Sequence, residues 1–190
     1  MPLQRRTLRK FRRILRRAGA LAPQFQAFAR TSLLNVPGFT GAGRLAVVIT
    51  ELLPPNTGRA FEAMRELRIG LTSCEDFVHH VDQVQRPAGY RLVASVPDEG
   101  VPAVAVAGFR RGENLAWGRH LYIDDLSTVP AARQQGHARD LLEWIRVEAE
   151  RLGCRQVHLD SGVGPARTAA HRLYLNSGYR ISSHHFAHDI

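Results

Sequence analysis

The stretch from His120 to Leu152 constrains the fold of this chain more than any other. His120 to Thr128 reads as a strand and is stopped by Val129-Pro130. After a short link, Ala138, Leu141, Leu142, Ile145, Ala149 and Leu152 fall at i, i+3, i+4, i+7, i+11 and i+14. That spacing lines one face of a long amphipathic helix, and Gly153 is placed to end it. Val157 to Asp160 then reads as a short buried strand, Arg167 to Asn176 as a further helix ending at Gly178, and Ile181 to Ile190 as a last strand or hairpin.

Upstream, Leu45 to Thr50 is a β-branched apolar run closed by Pro54-Pro55-Asn56. Thr57 can cap a helix that carries Phe61, Met64 and Leu67 on one face. Thr72-Ser73-Cys74-Glu75 has the form of a capping box, with Phe77, Val78, Val81 and Val84 as the apolar stripe behind it. Tyr90 to Val96 and Val101 to Phe109 complete, with His120 to Thr128, an antiparallel meander. The order β-α-α-β-β-β-α-β-α-β predicts an α+β fold, a mixed central sheet flanked by helices.

Length and charge narrow the partners. At 190 residues and 44% hydrophobic, the chain can bury one good core. It has no apolar run of membrane-spanning length. Of the 26 Lys and Arg, nine lie in residues 1–43, which hold none of the 17 acids. Residues 44–190 therefore carry 17 of each sign, and such a body needs no polyanion to explain it. The expected organisation is a basic leader over 1–43, read as a flexible tail, and one domain over 44–190. Leu8, Phe11 and Leu15 sit at helical spacing in that leader, so Leu3 to Arg17 can also form a basic amphipathic helix suited to RNA or an anionic membrane. Cys74 and Cys154 stand alone, which suits a reducing, cytoplasmic setting. A homodimer is compatible with everything in the sequence.

The chemistry-bearing segment is Arg133-Gln134-Gln135-Gly136-His137-Ala138, between the strand and the long helix. Gly136 can bring backbone N–H groups close to an anion, and Ala138 leaves room beside it. The helix that starts there adds unpaired N–H groups and a positive dipole end, and Arg133 adds a charge. An ordinary tight turn has the same look in isolation.

The context makes it more specific. The loop resembles the [RQ]-x-x-G-x-[GA] pyrophosphate loop of the GNAT superfamily of N-acetyltransferases, with Thr128-Val129-Pro130 at the strand end where that family has a Val-x-Pro-like step. Ala170-His171-Arg172-Leu173-Tyr174-Leu175-Asn176-Ser177-Gly178-Tyr179 is similar to the family's A-x-x-[LF]-Y-x-x-x-G-[FY]. The resemblance covers roughly residues 45 to 190. It implies an N-acetyltransferase that uses acetyl-CoA and no metal. The pyrophosphate falls to Arg133, Gln134, Gln135, Gly136, His137, Ala138 and Arg139, and the pantetheine arm to Leu126, Ser127 and Thr128. The backbone near Leu126 serves as oxyanion donor, and Tyr174 protonates the leaving thiolate. Arg167 stands where many members have an Asn that contacts the cofactor, so that contact is replaced.

Tyr122-Ile123-Asp124-Asp125-Leu126 is similar to the Leu-Glu-Asp-Phe stretch of diamine acetyltransferases, which makes Asp124 a candidate base and Asp125 a candidate holder of a small cationic amine. Strand alternation predicts that only one of the two faces any given side. Glu66 and Arg68 fall where the family shapes its acceptor pocket. His158 and Asp160 share a strand face and read as a buried hydrogen-bonded pair, while His184 and His188 could be paired on a metal only with further ligands that the sequence does not supply. The competing reading is a non-catalytic module that senses acyl-CoA, or that binds RNA or membrane through its leader. An intact loop together with Tyr174 favours catalysis.

Overall fold

The computed structural model describes residues 47–190. The leader, the helix expected over Leu3 to Arg17, the linker near Gly41 and the first residues of the opening strand lie outside the described residues.

Strand β1 (Val48–Glu51) leads through a 3-10 turn into α1 (Phe61–Arg65), and α2 (Cys74–His80) follows. Strands β2 (Tyr90–Val96), β3 (Ala105–Asn114) and β4 (Gly118–Thr128) form the meander. Helix α3 (His137–Arg151), β5 (Gln156–Leu159) and α4 (Thr168–Asn176) complete the order. The five strands lie in sequence order in one sheet, with β4 and β5 parallel and every other neighbour antiparallel. A parallel pair needs a crossover, and α3 is that crossover.

The sheet divides the core in two. Phe61, Ala63, Met64, Phe77 and Val81 of the first helices meet Tyr90, Leu92, Ala94 and Val106 on one face. Leu141, Leu142, Ile145 and Ala149 of α3 meet Val93, Ala107, Phe109, Leu121 and Ile123 on the other. Each fully buried Val, Leu, Ile, Phe or Met side chain among them contributes about 1.5–3 kcal/mol. Ion pairs fix α3 in place. Arg91 on β2 reaches Glu51 (2.7 Å) and Glu148 (2.5 Å), and Arg151 also holds Glu148 (2.6 Å).

The order expected from the sequence holds up to α4. Ile181 to Ile190 forms no strand, and Ile181 and Phe186 are 79% and 88% exposed. Their parity explains this: positions 181 and 186 fall on opposite faces of an extended chain, so the segment has no single apolar side to bury. Thr57 caps no helix. It is buried, donates to Asp82 (2.8 Å) and sits beside the Asp82–Arg86 pair. The cap of α2 is Ser73, whose hydroxyl accepts from the Asp76 N–H (3.2 Å), one residue later than the capping box places it. Val84 leaves the α2 stripe because Val81–Gln85 widens into a π-helical turn, which rotates it 51% into solvent. β3 starts later and runs past Arg110-Arg111-Gly112, since the turn is made further on, with the Trp117 N–H bound to the Asn114 side chain (2.8 Å).

Candidate active site

The site is built around an irregularity in β4. Phe109 pairs with Ile123 and Gly108 with Asp125, so Asp124 is the extra residue of a β-bulge. Before the bulge, Leu121 and Ile123 face α3; after it, Leu126 does. Asp124 and Asp125 therefore share the opposite face, against the strict alternation expected of them.

Each carboxylate is held by an arginine. The Arg110 Nε donates to Asp124 (2.8 Å), while its Nη2 donates to Gln85 (2.9 Å) and its guanidinium lies 5.7 Å from the Tyr90 ring centroid. Asp125 accepts from Arg68 Nε at Oδ1 (2.7 Å) and from the buried Tyr90 hydroxyl at Oδ2 (2.8 Å). Gly108 makes this possible, because a Cβ there would lie 1.7 Å from the Tyr90 oxygen. Burial raises the Asp124 carboxyl above the ordinary Asp range, with Arg110 opposing. Burial and the adjoining acids raise the Tyr90 hydroxyl strongly.

Beyond the bulge β4 has an open edge. Its pairing with β5 ends at Ile123–Leu159. The Val129 N–H donates to Val104 (3.0 Å), and hydrogen-bonded positions alternate along an antiparallel ladder. Leu126 and Thr128 therefore turn their N–H and C=O away from β3, while Ser127 bonds to β3 and is buried. The Thr128 carbonyl accepts from Arg133 Nε (3.2 Å), and Arg133 also pairs with Glu66 (3.1 Å).

The loop that follows is bent to present backbone. Gln134 has φ 62°, and Gly136, at the N-cap of α3, has φ 88° with no side-chain cap on the first turn. Gln134, Gln135 and Arg139 are exposed, Gly136 and Ala138 partly so. Gln135 braces the loop through the Ala131 carbonyl (2.9 Å). The His137 side chain is buried and hydrogen-bonds Ser95 (3.0 Å), so it anchors α3 and only its backbone belongs to the loop. An uncapped helix start, an open strand edge and a nearby arginine are the donors a pyrophosphate and a pantetheine amide require, so these residues fit acetyl-CoA.

Tyr174 lies on α4, half-buried beside Tyr179 (ring centroids 6.1 Å apart) and against the α3-side core. Burial raises its hydroxyl, with nearby Arg167 pulling the other way. Asp160 is the first residue past β5. It accepts from the Tyr122 hydroxyl and from His185 (2.9 Å), while His158 stacks on Trp117 at 3.9 Å and contacts Gln156 (2.9 Å). The pairing of His158 with Asp160 expected from the sequence is not formed, because each has a nearer partner. Sequence reasoning missed Tyr90 on β2, Arg110 on β3 and Gln85 on the turn after α2, which hold the acidic pair in place and carry no motif. The adjacency of Asp124 and Asp125 was the one available signal.

The model of the Acetyltransferase (GNAT) family matches residues 59–179. This chain belongs to the GNAT family. It is an enzyme, an acyltransferase of the N-acetyltransferase kind. It is 30% identical over 128 residues to the uncharacterized N-acetyltransferase YhdJ of Bacillus subtilis (strain 168), covering 67% of this chain and 87% of the relative. Its fold is similar to that of a Trypanosoma brucei acetyltransferase (TM-score 0.64, 18% identity, 76% of this chain and 100% of the other). An aminoglycoside N-acetyltransferase in complex with CoA also shares it (TM-score 0.65, 13% identity, 76% and 95% covered). So does glucosamine-6-phosphate N-acetyltransferase from Arabidopsis thaliana (TM-score 0.60, 15%, 76% and 98%). At these identities the GNAT likeness between structures speaks for fold alone. Among the described residues no helix is long and apolar enough to cross a membrane.

Proposed function

We propose that the protein moves the acetyl group of acetyl-CoA to a small cationic amine, which attacks the thioester directly. The observation that carries this is the pair Asp124–Asp125, turned to one face by the bulge and placed just before the open edge at Leu126.

Bound acetyl-CoA would supply an activated acyl group and a thiolate leaving group. The backbone of Gln134 to Arg139, with Arg133, would hold its pyrophosphate at the start of α3. Leu126 and Thr128 would line the pantetheine arm, with the buried Ser127 tying that strand end to β3, and the outward N–H of Leu126 would stabilise negative charge that develops on the acyl oxygen. Arg167, exposed and close to Tyr174, would reach the cofactor in place of an Asn. An amine near neutral pH arrives protonated and must lose that proton to attack. Asp125 would attract the ammonium, and Asp124, whose burial makes it a stronger base than an ordinary aspartate, would take the proton. Tyr174, kept protonated by its raised value, would return a proton to the thiolate. The acidic pair, turned to one face beside the open edge of β4, supports a cationic acceptor.

The test is a thermal-shift and turnover experiment. Acetyl-CoA is expected to raise the melting temperature, and Gly136→Glu to remove that rise. A panel of 1,4-diaminobutane, lysine and kanamycin is expected to release free thiol with at least one member. An unshifted melting temperature would end the cofactor reading, and a wholly inert panel the acceptor reading.

A further inference from the structure

We propose that Arg68 fills the cation site that the acceptor needs, and so determines which amines can enter it. The inference rests on reading Asp124–Asp125 as the acceptor pair.

Arg68 stands three residues past α1, in the connection to α2. Its Nε reaches Asp125 Oδ1 (2.7 Å) and its Nη2 reaches both that oxygen (2.7 Å) and the Asp124 carbonyl (3.0 Å). The guanidinium fork is thus turned onto the acidic pair. Its side chain is 53% exposed, while Asp125 is 11% exposed. The other oxygen of Asp125 is taken from within by Tyr90, which is 5% exposed. An ammonium can therefore reach Asp125 only at Oδ1, the oxygen that Arg68 holds.

Arg110 plays a different part. It is 33% exposed, packs against Tyr90, and is fixed at both ends by Asp124 and Gln85. Arg110 belongs to the wall of the site, whereas Arg68 sits at its mouth on a turn whose next residue, Ile69, is 91% exposed. Because the Arg68 guanidinium is half-exposed, an incoming cation can take its place at Oδ1 without leaving the buried Asp125 unpaired. The consequence is selection by charge: a compact, fully protonated amine displaces Arg68, and an uncharged one gains nothing at Asp125. The segment around Arg68 must swing out as the acceptor enters.

Arg68→Gln tests this, since it removes the charge but keeps a donor for Asp125. With the most reactive amine of the panel, the KM is expected to fall about tenfold, the weight of one hydrogen bond to a charged group. The kcat should stay within about twofold, because Arg68 moves no proton. Added guanidinium chloride should inhibit the variant competitively against the amine, at about a tenth of the concentration that inhibits the wild type. Arg68→Lys, which keeps a cation, should retain the wild-type KM. An acetyl-CoA thermal shift certifies that each variant is folded. Turnover by Arg68→Gln of a panel amine that the wild type leaves untouched, while it turns over another, would support the proposal most strongly. A KM that rises or stays level, or equal guanidinium inhibition of both proteins, would overturn it. If neither protein turns over any amine while both bind acetyl-CoA, the acceptor reading falls and this inference falls with it.

Discussion

Gly108→Ala is the smallest change that should disorder the acidic pair. A Cβ at this position lies 1.7 Å from the Tyr90 oxygen and 2.2 Å from its Cζ, well inside ordinary contact. The ring has no easy retreat: it is buried, with Arg110 over one side. Over-packing of a core of this kind costs about 1–3 kcal/mol. Expelling the ring also removes the Tyr90 hydrogen bond to Asp125, worth about 1.5–3 kcal/mol for a charged acceptor. The total, about 3–5 kcal/mol, corresponds to roughly 10 °C in melting temperature for a chain of this size. Urea unfolding of Gly108→Ala, Tyr90→Ala and the double variant would measure it. With the ring gone, the alanine at 108 should cost almost nothing, so the cycle should show a coupling of about 3–5 kcal/mol. A loss under about 1 kcal/mol in the wild-type background, or the same loss in both backgrounds, would refute the close approach of β3 to Tyr90.

Three further outcomes follow from the same geometry. Tyr174→Phe should lower kcat about a hundredfold, within the usual range for a proton donor, with acetyl-CoA affinity nearly unchanged; equal turnover would remove Tyr174 from the chemistry. Because burial raises Asp124, the acid limb of kcat/KM should lie above the ordinary Asp range, with activity rising as pH climbs through it. Asp124→Asn should abolish that limb, and a limb unmoved in the variant would exonerate Asp124. Burial pushes Glu148 up, but Arg151 and Arg91 outweigh it and leave its carboxyl lowered. A lowered acid stabilises the fold above its unfolded value and loses that contribution as pH falls through the folded one. Glu148→Gln should therefore be less stable than wild type at pH 7, with the gap closing in urea melts below the usual Glu range.

The parts of the molecule that were legible in the sequence are those written locally. Helix α3 announces itself because six apolar residues recur at helical spacing, and the loop before it because Gly136 must supply a left-handed backbone that few other residues adopt comfortably. The three-stranded meander is visible because its runs are apolar, of strand length and separated by turn residues. Ile181 to Ile190 misled because histidine and serine leave a strand possible while the apolar positions deny it a face. The bulge at Asp124 carries no composition signal at all, yet it reverses the parity of everything after it in β4. Period-two reasoning therefore separated Asp124 from Asp125, where the backbone unites them.

That difference has a physical consequence for how such a site can change. Apart from Arg167, the residues proposed for acetyl-CoA lie within fifteen positions of one another, on a strand end, a loop and a helix start whose backbone does the binding. Few side chains matter there, so the loop tolerates little variation in Gly136 but much around it. The acceptor face draws Arg68 from the α1–α2 connection, Gln85 from the π-helical turn after α2, Tyr90 from β2, Arg110 from β3 and the acids from β4. Each contact there is a side chain on a strand or connection that other residues already hold in place. Substituting Arg68, Gln85 or Arg110 alters the charge or shape offered to an amine without disturbing either core. Arg68 is the most replaceable of the set, being half-exposed and outside any helix or strand, while Tyr90 and Gly108 are locked to each other. Variation at position 68 should therefore move acceptor preference at little cost in stability, whereas variation at 90 should cost stability first.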